Sequence, residues 1–237
     1  MNRATFIVGL AGTAAAGRGV PVFMYHHVND TTPSNQIALG LTLPTESFEA
    51  QLRWLARNKI ATLTAAELVD ALSHGEIPSR SAVLTFDDGY ADAAHVAGPL
   101  LARYNARATF FVNAGTIGLR NHVSWRDLRA LRAGGSEIGA HGMHHLDLST
   151  LNRAEQLHEA GDCVARLGRF LNTRVVSYAY ASGAYNATTL AVMREIGIQS
   201  AWTEHVGYAG SVRSPYEMPR LRITRDMTVE GFATLVR

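Results

Sequence analysis

The sequence predicts an α/β fold of parallel strands joined by helices, in one domain the size of a (β/α) barrel. Three observations carry that expectation. Short runs rich in β-branched and aromatic residues alternate with segments of helical period, which means parallel strands with helical crossovers. The 237 residues suit one larger domain. No low-complexity stretch, internal linker or short repeat divides them.

The elements follow in order. VPVFMYHHV (20–28) reads as the first strand and closes on His26 and His27. Residues 29–44 carry Thr, Pro, Ser and Asn without period, as a long surface loop does. Thr45 is expected to cap a helix reaching Asn58, with Phe48, Leu52 and Leu55 on one face. Thr64 and Glu67 form a capping box for a helix to Ser73. AVLTFDD (82–88) is the next strand, followed by a helix around 99–104 and the strand ATFFV (108–112). A helix from Ser124 to Ala133 stops at Gly134 and Gly135, and EIGAH (137–141) is a short strand. Ser149 or Asn152 opens a helix bearing Leu157, Val164 and Leu167. VVSYAY (175–180), a helix at 188–196, SAWT (200–203), RLRIT (220–224) and a closing helix VEGFATLV complete the chain.

Composition excludes several function classes. Apolar residues at 47% with charged residues at 18% fit a globular protein, neither disordered nor threaded repeatedly through a membrane. A formal charge of +2 without a block of like charge leaves no footprint for nucleic acid. With one cysteine, Cys163, the chain has no disulfide framework or thiolate-rich zinc site, so any metal must rest on His and carboxylates. Residues 1–18 combine an early Arg, a short apolar segment and small residues, the pattern of an export signal too short to span a bilayer comfortably. That gives two expected parts: a leader or N-terminal extension at 1–18 and one domain at 19–237, exported to the periplasm or outside the cell, with no stable membrane span beyond the leader.

In such folds chemistry gathers where strands end, and TFDDGY (85–90) ends a strand in two adjacent carboxylates, Asp87 and Asp88. Alternation points neighbouring side chains to opposite faces unless the backbone turns, and Gly89 supplies a turn. One acid could hold a cation and the other move a proton. EIGAHGMHHLDL adds His141 and His145, four apart, so that both imidazoles can turn inward, with His144 directed elsewhere. Two His and one Asp leave a metal open positions for water and substrate, a catalytic rather than a structural arrangement.

TFDDGY, RATFFV (107–112), EIGAHGMHHLDL (137–148) and YASGAYN (180–186) together resemble the polysaccharide deacetylases of carbohydrate esterase family 4, which share the nodulation-type chitooligosaccharide deacetylase domain. VPVFMYHHV and MPRLRI are similar to the subgroup that includes poly-β-1,6-N-acetylglucosamine N-deacetylases. The resemblance implies a distorted (β/α) barrel that removes N-acetyl groups from an acetylated polysaccharide with zinc or another divalent transition metal. It implies Asp88, His141 and His145 as metal ligands and Asp87 as general base. His26 is the candidate general acid, because RLRI lacks the His of the family's usual late motif; His27 alternates away from it. The family's Arg-x-Pro-Tyr reads Ala179-Tyr180-Ala181-Ser182 here, without the Arg that pairs with the base. Arg220 and Arg222 are the candidates to replace it, with a solvent-facing salt bridge the equal reading for Arg222. The Ser182 N–H is the candidate oxyanion donor, and Tyr185 and Trp202 are candidate surfaces for the sugar; Tyr90 is undecided, and Trp125 reads as core. Two alternatives stay open: a glycan-binding module of the same fold without turnover, and a deacylase of another amide or ester.

Overall fold

The computed structural model describes residues 19–76, 78–210 and 214–236; the expected leader at 1–18 lies outside them. Among the described residues there are ten strands: β1 (Val22–Tyr25), β2 (His27–Val28), β3 (Thr42–Leu43), β4 (Ala61–Leu63), β5 (Ser81–Phe86), β6 (Thr109–Val112), β7 (Glu137–Ala140), β8 (Ser177–Ala179), β9 (Ser200–Val206) and β10 (Met218–Arg222). The main sheet runs β1-β10-β9-β8-β7-β6-β5, and β1 also pairs with β5. Every one of these pairings is parallel. Seven strands therefore close into a barrel, the expected fold class. The eighth strand, β4, lies outside the ring on the first half of β5.

The strand residues divide by alternation into two layers. Phe23, Tyr25, Leu84, Phe86, Phe110, Ile138, Ala140 and Tyr178 face outward and share one core with Phe48, Leu52, Leu128, Leu167 and Phe232 of the surrounding helices. Val22, Val83, Phe111, Ala179, Trp202 and Met218 fill the interior. Helix 65–73 covers the end where the strands begin, packing Ala65 and Leu68 into that inner cluster. Its first amides donate to Thr109 Oγ1 at 2.8 Å and Glu137 Oε2 at 3.0 Å, the opening residues of β6 and β7. Space inside is short enough to dictate residue size: a Cβ on Gly139 would meet the Phe111 ring at 2.5 Å.

Three helices start on expected signals. Thr64–Glu67 and Ser124–Asp127 form capping boxes, and Asn152 rather than Ser149 opens the helix at 153. The helix at 45–57 differs: Thr45 is already helical and its N–H donates to Asp30 Oδ1, with Pro44 in the capping place. Two helices carry a widened π turn, at Ala93–Ala97 and Leu157–Gly161, and such turns gather at functional sites. β3 and a short helix at 36–40 stand where the sequence suggests loop, because runs of two to five residues carry too little periodicity to read, and the expected first strand at 20–28 is divided into β1 and β2 at His26.

Candidate active site

The strand end at TFDDGY separates its two acids by geometry. Asp87 continues the inward series Val83, Thr85, Asp87, and its N–H is still held in the sheet by Tyr25 O at 3.0 Å. Its carboxylate meets Arg220 twice at 2.7 Å, Nη1 to Oδ1 and Nη2 to Oδ2, with side chains 2% and 0% exposed. A planar guanidinium matches a carboxylate in this two-pronged way. Burial pushes the Asp87 pKa up, but Arg220 first, then His141, more than offset it, leaving the group below its ordinary value.

Asp88 leaves the strand with φ +69°, and Gly89 follows at +70°. Two successive left-handed residues swing Asp88 out of the alternation and over the barrel mouth. Its Oδ1 lies 3.3 Å from His141 Nε2 and 3.3 Å from His145 Nε2. His141 ends β7, buried, and its Nδ1–H donates to Ala179 O at 2.8 Å, which turns Nε2 toward Asp88. His145, at φ +61° and 40% exposed, comes from the loop beyond.

These three donors fit a divalent cation. One ligand atom from each lies within 4.8 Å of the others. The His141 hydrogen bond to a backbone carbonyl is the support that metal-bound imidazoles take. Asp88 Oδ1 is buried and satisfied by no hydrogen bond among the described residues; it faces two imidazole nitrogens, which only a proton or a cation between them makes favourable. Burial raises the Asp88 pKa, but the close approach of His141, and then the charges of His26 and His145, overcome this and hold it well below the carboxylate range.

His26 follows β1 at 7% exposure, with Nδ1 lacking a hydrogen-bond partner among the described residues. Burial lowers its pKa; Asp87 and Asp88 pull it up and Arg222 and Arg220 press it down, so it sits below the ordinary histidine value. The neighbouring His27 points the other way, to Asp92 Oδ2 at 2.9 Å, its ring stacked on Tyr90 at 3.7 Å. Asp92 also accepts from Asn29. Tyr90 borders Asp88, and burial, then that charge, raise its pKa. Asn113, at the end of β6, reaches Asp88 O at 3.4 Å. Neither Asn113 nor Asp92 stands out in the sequence; Asn113 follows RATFFV directly and Asp92 comes two residues after TFDDGY, and nearness to a motif is their signal.

Two candidate residues are corrected by their surroundings. Trp202 is fully buried inside the barrel, its indole N–H donating to Ser200 Oγ at 3.1 Å; a ring with no exposed surface cannot stack on a sugar. Arg222 does not orient Asp87: its guanidinium pairs with Glu204 at 2.5 Å, a third exposed. The two arginines are two apart and share a strand face, so depth separates them. Arg220, two residues beyond the inward-facing Met218, lies inside the barrel, where its Nε also donates to Thr203 O at 2.9 Å. Ser182 stands beyond β8, exposed, at φ +53°. Tyr185 stacks on Tyr180 at 5.0 Å and donates its hydroxyl to Glu217 at 2.9 Å.

A closed parallel barrel with a carboxylate–imidazole cluster and a buried carboxylate–guanidinium pair at its mouth carries its candidate chemistry where enzymes of the (β/α) barrel type carry theirs. Residues 74–201, more than half of the chain, match the polysaccharide deacetylase family model, and the chain belongs to that family: it is a hydrolase acting on carbon–nitrogen bonds of polysaccharide. It is similar to YxkH, a Bacillus subtilis (strain 168) protein named for the same family, at 29% identity over 92% of this chain and 76% of that one. The poly-β-1,6-N-acetyl-D-glucosamine N-deacetylase of Staphylococcus aureus (strain MRSA252) is 25% identical over 76% of this chain and 67% of its own. Among solved structures, the Streptococcus pyogenes deacetylase PplD in complex with acetate superposes with a TM-score of 0.88 at 27% identity, covering 92% of this chain and 98% of that one. Among the described residues, no helix is long and apolar enough to cross a membrane.

Proposed function

We propose that the chain removes N-acetyl groups from an N-acetylglucosamine-containing polysaccharide, outside the cytoplasm, with Asp88, His141 and His145 holding a divalent cation, zinc by preference. The observation that carries this reading is the Asp87–Arg220 pair set directly beside the three donor atoms. The Staphylococcus aureus relative supports the substrate class, and the apolar leader with its early Arg supports export.

A cation at these donors supplies Lewis acidity toward an acetamide carbonyl and toward water. Asp87, kept ionised by Arg220 despite its burial, takes the proton from water as it attacks the carbonyl carbon. The Ser182 N–H meets the oxygen that gains charge. His26 delivers a proton to the departing amine: the proton that Asp87 takes from water is handed on to it, so that both groups end the cycle as they began it. Two nitrogen donors and one oxygen donor, without sulfur, suit zinc and its neighbours in the transition series.

The test is acetate release from acetylated glucosamine polymers by the wild type and by Asp87→Asn, each with and without a chelator, alongside metal content. The expected result is chelator-sensitive release by the wild type and none by Asp87→Asn, which still carries metal. Full activity in Asp87→Asn would remove Asp87 as base, and glycan binding without product from the wild type would leave a binding module.

A further inference from the structure

The two histidines of the cluster are held in different ways. His141 sits on a strand and is aimed by its own ring hydrogen bond to Ala179 O. His145 has no such ring support among the described residues, lies in a loop, and adopts a left-handed backbone that a non-glycine residue takes only when its surroundings impose it. What surrounds it is Glu159. The Glu159 Oε1 accepts from His144 N at 2.7 Å and from Leu146 N at 3.3 Å, the amides on either side of His145. Its Oε2 lies 3.3 Å from His144 Nδ1, and its backbone carbonyl accepts from Met143 N at 3.0 Å.

Glu159 belongs to the π turn Leu157–Gly161 and is 4% exposed. Gly142 leaves room for it: at φ +95°, a Cβ there would stand 2.5 Å from Glu159 Oε1. Beside the loop an open cleft of about 330 Å³ is bordered by Met143, His144, Leu146, Leu151, His158 and Glu159. On that side solvent rather than packed side chains meets the loop, and the Glu159 hydrogen bonds are what tie it to its helix.

We infer that Glu159 is a positioning residue that presents His145 to the cation through the two flanking amides, an inference that rests on the reading of Asp88, His141 and His145 as metal ligands. Outer partners of metal ligands are worth about ten- to a hundredfold in affinity. Glu159→Ala is accordingly expected to weaken zinc binding by that factor in competition with a chromophoric chelator. Glu159→Gln, whose amide oxygen can still accept from both N–H groups, should recover most of the loss. In a His145→Ala background, Glu159→Ala should cost nothing further, because the residue it positions is gone.

An equal loss with and without His145 would show that Glu159 supports the fold rather than the ligand, and would overturn the inference. So would unchanged affinity in Glu159→Ala while the wild type binds. Should Glu159→Ala fail to fold, Glu159→Asp decides: one methylene shorter, it cannot reach both amides, and wild-type affinity there would be equally fatal. A wild type that takes up no metal would overturn the donor assignment and this inference together.

Discussion

Replacing Arg220 by Met should leave Asp87 as a buried carboxylate without its counterion. Both side chains are essentially inaccessible and meet through two 2.7 Å contacts, so water cannot stand in for the guanidinium. Breaking a buried pair from one side costs about 3–5 kcal/mol. For a chain of this length each kcal/mol moves the melting temperature by about 2–4 °C, so the fall should be roughly 6–20 °C. Thermal unfolding followed by circular dichroism measures it. Asp87 would then relieve its burial by binding a proton, and acetate release should fall by about 10²-fold or more, the usual worth of general base catalysis. The double variant Asp87→Asn with Arg220→Met should melt above Arg220→Met alone, since no charge is left uncompensated. Arg220→Met melting within about 2 °C of the wild type, at full activity, would refute the reasoning, because less than about 1 kcal/mol of the pair would then be real.

Trp202→Ala should lower stability by about 3–5 kcal/mol, the cost of emptying a large buried site, and Trp202→Phe should leave the KM for polymer unchanged; a raised KM would return the ring to the substrate surface. Glu137 gives a pH signature. Burial raises its pKa, hydrogen bonds from Ser177, Ala66 and Thr109 only partly opposing. A carboxyl with a raised folded pKa gives stability that is full below its unfolded pKa and lost as pH climbs through the folded one. Glu137→Gln should therefore flatten the stability profile above about pH 4.5, gaining on the wild type as pH rises; parallel urea-denaturation profiles across that range would contradict this.

Much of the barrel and its mouth is legible in the sequence, for identifiable reasons. Strands β5 and β6 are continuous apolar runs ended by polar residues, and the capped helices announce themselves at Thr64 and Ser124. Asp88, His141 and His145 are readable because each stands in a short motif at a strand end. What is illegible depends on distance or depth. Arg220 and Arg222 look alike on one strand face, and only their depth and the positions of Asp87 and Glu204 tell them apart. Trp202 reads as lying near a strand end, yet β9 runs on to Val206 and the ring packs with Ala65 and Leu68 of the helix that closes the far end of the barrel. Glu159 is one helical glutamate among several until its helix widens by a π turn beneath the histidine loop.

The ring closes only where β1 meets both β10 and β5, and Phe23 finds its partner Leu221 about two hundred residues later, a contact of the long-range kind that forms late. The cation that keeps Asp87 charged comes from that same last strand. A nascent chain can thus own both aspartates and all three histidines of its centre before any of them can work. Until β10 docks, Asp87 has no guanidinium to hold it ionised in a dry interior, so a chain halted before that strand should be inert rather than partly active. Chemical competence then becomes a late folding event, and acetate release during refolding should lag behind the recovery of helical signal.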